Sequence, residues 1–138
     1  MKPFTKEKQK TILIATFDQR TRQLLTDQLS DHMNRLCFVT RGSHVLMEIL
    51  EQEVDILLLD VDMQGIIGIE ILPIIRKLRP RLPVILITQD FTAQIRKVAA
   101  EQGLTFQTNK PGSTIEMKTI VSATEKIIEK REMHQLAG

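Results

Sequence analysis

Five short apolar runs punctuate the chain, and each is followed by a polar stretch with helical spacing. The first run is TILIAT, Thr11 to Thr16. Asp18 then stands where a helix N-cap belongs, with Leu24, Leu25 and Leu29 on one face of the helix it would open. LCFVT, 36–40, reads as a second strand, followed by a helix capped by Ser43 and carrying Val45, Leu46, Ile49 and Leu50. The third run, VDILLLD at 54–60, is continuous rather than alternating, which is the pattern of a parallel strand covered on both faces. A helix from about Gly68 to Leu78 comes next, and Pro73 inside it predicts a kink or a late start. Pro80 and Pro83 bracket a turn before VILIT at 84–88. The following helix carries Ile95, Val98 and Ala99 and ends at Gly103. LTFQT at 104–108 is more polar and reads as an edge strand. A last helix starts near Ser113 and turns Met117, Ile120, Val121, Ile127 and Ile128 to one side. Its polar end, EKREMHQ, reads either as a frayed tail or as a seam for a partner helix or second copy.

Strand and helix alternate five times with short connections. That predicts an α/β fold with a parallel sheet and helices on both faces. No repeat, low-complexity segment or linker to a second domain interrupts the pattern. The expected organisation is a basic extension over 1–10, one folded domain over 11–130 and a tail over 131–138.

Composition narrows the function classes. At 138 residues, 42% hydrophobic and 26% charged, the chain can bury one ordinary core. A net charge of +2 is too mild to imply nucleic acid. The basic residues gather at Lys2, Lys6, Lys8 and Lys10 and at Arg76, Lys77, Arg79 and Arg81, and these read as a terminus and a solvated helix end. Cys37 is the sole cysteine, so no internal disulfide forms, which fits a reducing compartment. Buried among Leu36, Phe38 and Val39, its thiol would ionise poorly and is not expected to be catalytic. His32, His44 and His134 share no metal-ligand spacing. No apolar run approaches the ~20 residues of a membrane span. The charged N-terminus lacks the apolar stretch of a secretory signal. The expected location is the cytoplasm, with no membrane and no direct nucleic-acid partner.

In an open parallel sheet, chemistry collects beyond the carboxyl ends of the strands. Thr16, Phe17 and Asp18 follow the first strand, Asp60 and Asp62 end the third, Thr88 ends the fourth, and Asn109, Lys110 and Pro111 follow the fifth. Carboxylate, hydroxyl and ammonium would meet at one edge. A carboxylate oxygen can attack a phosphoryl group to form an acyl phosphate, while a hydroxyl and a lysine hold the phosphoryl oxygens. A magnesium ion would ordinarily help two anions approach.

The stretches DILLLDVDMQGIIGIEIL, PVILIT and NKP occur in the order and at the spacing of the two-component response-regulator receiver family, which the chain resembles over about residues 10–130. The resemblance implies a flavodoxin-like, doubly wound five-stranded sheet of order 2-1-3-4-5 with five helices. It implies that Asp60 is the phospho-acceptor, that Thr88 and Lys110 contact the phosphoryl group, and that the Lys110–Pro111 bond is cis. Gly65 and Gly68 match the loop glycines. A histidine kinase or phosphotransfer protein is the implied donor. The implied output is a downstream protein or a homodimer engaging the last two helices and the strand between them.

The departures from the family pattern are specific. Thr16 and Phe17 stand where the family carries the acidic pair that holds magnesium. Asp60, with Asp18 one place beyond that pair, would have to carry the metal. Gln64 replaces a common proline and Gln89 a small residue. Gln107 occupies the position of the switching aromatic that pairs with Thr88, and Phe106 falls one place early, on the other strand face.

Three readings therefore stand at this point. One is a phosphorylated receiver module, and a second is a degenerate receiver that binds or dimerises without phosphorylation. The third is a small flavodoxin-like enzyme or nucleotide-binding protein, disfavoured because TFDQR has no phosphate-binding glycine loop. Nothing after the last helix reads as an output domain, so the chain is expected to be a stand-alone receiver or part of a longer protein.

Overall fold

The computed structural model describes residues 9–61, 68–88, 92–102, 106–109 and 114–137, with the backbone alone described for 68–69, 106–109, 114–118, 131–132 and 134–137. Strands and helices alternate as β1 (Lys10–Ala15), α1 (Gln19–Leu29), β2 (Asn34–Val39), α2 (Gly42–Glu51), β3 (Ile56–Asp60), α3 (Gly68–Leu78), β4 (Val84–Thr88), α4 (Ala93–Glu101), β5 (Phe106–Asn109) and α5 (Thr114–Ala137). All strand pairs are parallel, and the sheet order is β2-β1-β3-β4-β5. This is the flavodoxin-like, doubly wound α/β fold.

The pleat explains why the central strands are apolar without interruption. Leu13, Ala15, Leu57, Leu59, Val84 and Leu86 face one side, where Val45 and Ile49 of α2, Ile71, Leu72 and Ile75 of α3, and Ala99 of α4 cover them. Ile12, Ile14, Ile56, Leu58, Ile85 and Ile87 face the other, against Leu25 and Leu29 of α1 and Ile120 and Ile128 of α5. Each fully buried Leu or Ile of this kind contributes roughly 1.5–3 kcal/mol of transfer free energy. Two half-cores of aliphatic residues thus sandwich the sheet, and the strand ends are the places left for polar side chains.

Several local expectations change. Strand limits move by one or two residues, so Thr16 lies just past β1. Ser43 does not cap α2: Gly42 is buried and already helical, and Arg41 is the N-cap, without a side-chain hydrogen bond. The Arg41 carbonyl accepts from His44 N at 3.1 Å and Val45 N at 3.2 Å. Leu50 lies outside the buried stripe of α2 and is 59% exposed. Cys37 is half-buried, because β2 is an edge strand, and the Gln52 amide reaches its Sγ at 3.9 Å. The helix α3 starts at Gly68 and runs through Pro73. Gly103, expected to end α4, lies outside the described residues, and the helix gives way to a C-cap at Gln102. Helix α5 continues to Ala137, through residues assigned to a tail.

The lower edge of the sheet, where the strands begin, is closed by charge. The Thr11 amide donates to Asp55 Oδ2 at 2.7 Å. Arg76 of α3 donates from Nε to the Gln102 carbonyl at 3.0 Å and from Nη1 to the Leu82 carbonyl at 2.6 Å. One guanidinium thus joins α3, the end of α4 and the turn entering β4. Arg79 Nη2 donates to the Ile49 carbonyl at 2.9 Å, satisfying an orphan acceptor in the last turn of α2. Part of the basic cluster at 76–81 is therefore internal scaffolding, and burial lowers the Arg76 pKa from its ordinary value.

Candidate functional site

Three strands deliver polar side chains to the upper edge. Past the end of β1, Thr16 stays in the ladder, its amide donating to the Val39 carbonyl at 3.0 Å. Asp60 is the last residue of β3, and the Val61 amide donates to the Ile87 carbonyl at 2.9 Å, so the strand holds its line through the carboxylate. Thr88 is the last residue of β4 and pairs in register with Asn109 of β5. All three side chains are buried: Thr16 is 3% exposed, Asp60 0% and Thr88 2%. Strand alternation places Asp60 on the face of Ile56 and Leu58, and Thr88 on the face of Val84 and Leu86. They approach the edge from opposite sides of adjacent strands.

A buried carboxylate requires compensation. Part of it comes from Thr16, whose Oγ1 donates to Asp60 Oδ2 at 2.7 Å. The Asp18 amide in turn donates to Thr16 Oγ1 at 3.1 Å. Asp60 and Thr88 each hold further interactions as well. Among the described residues, no buried side-chain polar atom lacks a hydrogen-bond partner.

Asp18 closes the start of α1. Its Oδ1 accepts from the Arg20 amide at 3.1 Å, and its Oδ2 accepts from Thr21 Oγ1 at 2.7 Å. This is the N-cap geometry its position implies. Phe17, the residue before Asp18, is 52% exposed.

The described donors do not fit a magnesium cage. Among the described residues, no three of His, Cys, Asp and Glu are grouped as a metal would need. Both Asp18 carboxylate oxygens are engaged within α1, and Asp60 Oδ2 receives a proton donor. Magnesium favours carboxylate and other oxygen ligands in a near-octahedral shell.

The structure brings Thr16, Asp60 and Thr88 to one edge and leaves Asp18 to the helix beside it. Lys110, Pro111, Asp62, Gln64, Gly65 and Gln89 lie outside the described residues. So do the side chains of Gln107 and Phe106, although the backbone pairs Gln107 with Leu86 and Phe106 with Ile85. Sequence reasoning treated Thr16 only as a missing acid. Its contact with Asp60 was available in outline, because the residue after an apolar strand lies beside the residue ending the neighbouring one.

The fold agrees with comparisons to known proteins. The family model of the response regulator receiver domain matches residues 12–122. The DNA-binding transcriptional regulator NtrC of Azospirillum brasilense is 28% identical over 118 residues, covering 86% of this chain and 24% of that protein. This chain therefore spans about a quarter of that relative's length. A CheY-like receiver domain protein from Methanospirillum hungatei JF-1 superposes with a TM-score of 0.82 at 18% identity, covering 91% of this chain and 98% of that one. The signal receiver domain of a putative LuxO repressor protein from Vibrio parahaemolyticus gives 0.82 at 14% identity, covering 94% and 97%. At such identities the solved structures show the fold. Receiver domains are in general signalling modules rather than enzymes, and they typically bind magnesium through acidic residues. No helix among the described residues is long and apolar enough to cross a membrane. With the family model spanning most of the chain, the protein belongs to the response regulator receiver domain family.

Proposed function

We propose that residues 11–130 form a receiver module in which Asp60 accepts a phosphoryl group from a histidine kinase or phosphotransfer protein. The observation that carries this reading is the fully buried Asp60 at the end of β3, next to the strand that ends in buried Thr88. In the reaction an Asp60 oxygen attacks phosphorus and the bond to the donor nitrogen breaks. The nitrogen keeps the electron pair, and an acyl phosphate forms. Thr88 and Lys110 then contact the phosphoryl oxygens. The added charge draws Thr88 toward the group and changes the binding preference of the face made by α4, β5 and α5. The partner at that face is a downstream protein or a second copy of this chain. Gln107, in place of an aromatic switch, weakens the relay. The basic extension, residues 1–10, and the end of α5 flank the module. The cytoplasm is the compartment that suits such a donor.

A second reading is favoured by one observation, the Thr16 hydrogen bond to Asp60. A receiver without its acidic pair can hold one conformation and use the same face without phosphorylation. Intact-mass measurement after incubation with a small phosphodonor separates the two. A phosphoryl adduct lost in Asp60→Asn supports phosphorylation. A folded protein that takes no adduct from the phosphodonor or from a phosphorylated histidine donor excludes it and leaves the constitutive module.

A further inference from the structure

We propose that Thr16 takes over the positioning role that a magnesium-bound carboxylate plays elsewhere in the family, so that the Asp60 site is set without a divalent cation. The proposal rests on Asp60 being the central carboxylate of the site, not on its phosphorylation.

The hydrogen bonds define the direction of every proton. The Asp18 amide can only donate, so Thr16 Oγ1 accepts from it at 3.1 Å. The single hydroxyl proton is then directed at Asp60 Oδ2, at 2.7 Å, in the range of a charge-assisted bond. The chain amide–hydroxyl–carboxylate is polarised in one sense throughout. Thr16 and Asp60 are 3% and 0% exposed, so water does not compete for either.

The charge balance points the same way. An aspartate at position 16 would set a second anion against Asp60, and a cation between them would be needed to hold both. A threonine instead presents the positive end of a neutral dipole. It stabilises one anion and asks for no ion. Asp18 cannot make up the difference while its two oxygens close the first turn of α1. A magnesium ion entering here would have to turn the Thr16 proton away and, among the described residues, would gain Asp60 as its one well-placed carboxylate. Magnesium gives up water reluctantly for so little.

The test compares thermal unfolding of the wild type, Thr16→Ser, Thr16→Asp and Thr16→Val in chelator and in magnesium at matched ionic strength. The wild type and Thr16→Ser are expected to unfold at the same temperature in both. Thr16→Asp should lose stability in chelator and recover on the order of 5 °C in millimolar magnesium, the response of a newly made ion site. Thr16→Val should stay indifferent to magnesium, unfold earlier than the wild type and shift the Asp60 carboxyl carbon resonance. Thr16→Ser should restore that resonance. A wild type that gains as much from magnesium as Thr16→Asp overturns the proposal, as does a folded Thr16→Asp that gains nothing. If Thr16→Asp fails to fold, an Asp60 resonance unchanged in Thr16→Val overturns it. No phosphodonor enters these measurements, so a failure of phosphoryl transfer to Asp60 is read separately.

Discussion

The two ends of the sheet face the same physical difficulty and resolve it in different ways. At the lower edge, Arg76 and Arg79 direct guanidinium groups at the carbonyls of Gln102, Leu82 and Ile49, and Asp55 takes the amide of Thr11. In these four contacts the partners are backbone atoms, which do not depend on the side chain at those positions. At the upper edge, the Asp60 carboxylate meets the hydroxyl of Thr16, one side chain against another. That pairing depends on two identities rather than one. The lower-edge guanidiniums tie α3 to α2, to the end of α4 and to the turn entering β4, whereas the Thr16–Asp60 contact is one that a single substitution redefines. The first arrangement suits scaffolding, and the second suits a site that changes state.

The contrast can be tested by substitution. The largest effect should come from Arg76→Ala, which strips donors from the carbonyls of Gln102, Leu82 and Pro80. It should lower unfolding free energy by about 2 kcal/mol in urea titration and leave phosphodonor reactivity unchanged. Thr16→Val should cost about 1–2 kcal/mol, since a buried carboxylate loses a donor while the volume is nearly conserved. Because the two sites are at opposite edges, the double variant should show the sum to within ~0.5 kcal/mol. A larger coupling would mean that the edges communicate. Arg79→Ala, at a more exposed position, should cost about 1 kcal/mol. The smallest effect on stability belongs to Asp60→Asn. Its amide oxygen can still accept from Thr16, so stability should change by less than ~1 kcal/mol. The same variant should abolish any phosphoryl adduct by intact mass, the largest functional effect of the series.

The fold was readable because its signal is redundant. The runs ILIA, ILLL and VILI are apolar on both pleat faces, which only a doubly covered strand tolerates, and a helix follows each strand in the chain. Asp60 and Thr88 were readable for a related reason: each ends such a run, and the edge where strands end is where an α/β sheet exposes side chains. Two features were misread. Ser43 looked like a cap because its chemistry is right, yet the helix begins against the sheet at Gly42, where the lack of a side chain permits close packing. Arg76 and Arg79 looked like solvated charge because nothing local distinguishes a guanidinium in water from one folded back onto carbonyls 26 and 30 positions away. Thr16 differs from them, since its partner, though 44 positions distant, lies one step along the strand register.

That distance recurs at the other end of the same strand pair. The Thr11 amide meets Asp55 across 44 positions, and the Thr16 hydroxyl meets Asp60 across 44 positions. The value is the register itself, Ile12 with Ile56 through Ala15 with Leu59. One aspartate therefore pins each end of the β1–β3 ladder, and a slip of a single residue would unseat both while turning the apolar set to the wrong faces. Neither pin can close until the intervening α1, β2 and α2 have been synthesised and the loop between the strands has been drawn together. During synthesis, a chain that has emerged only through α2 has β2 to pair with β1, and the other edge of β1 waits for β3. Both aspartates come with β3, so the partners of Thr11 and Thr16 become available together.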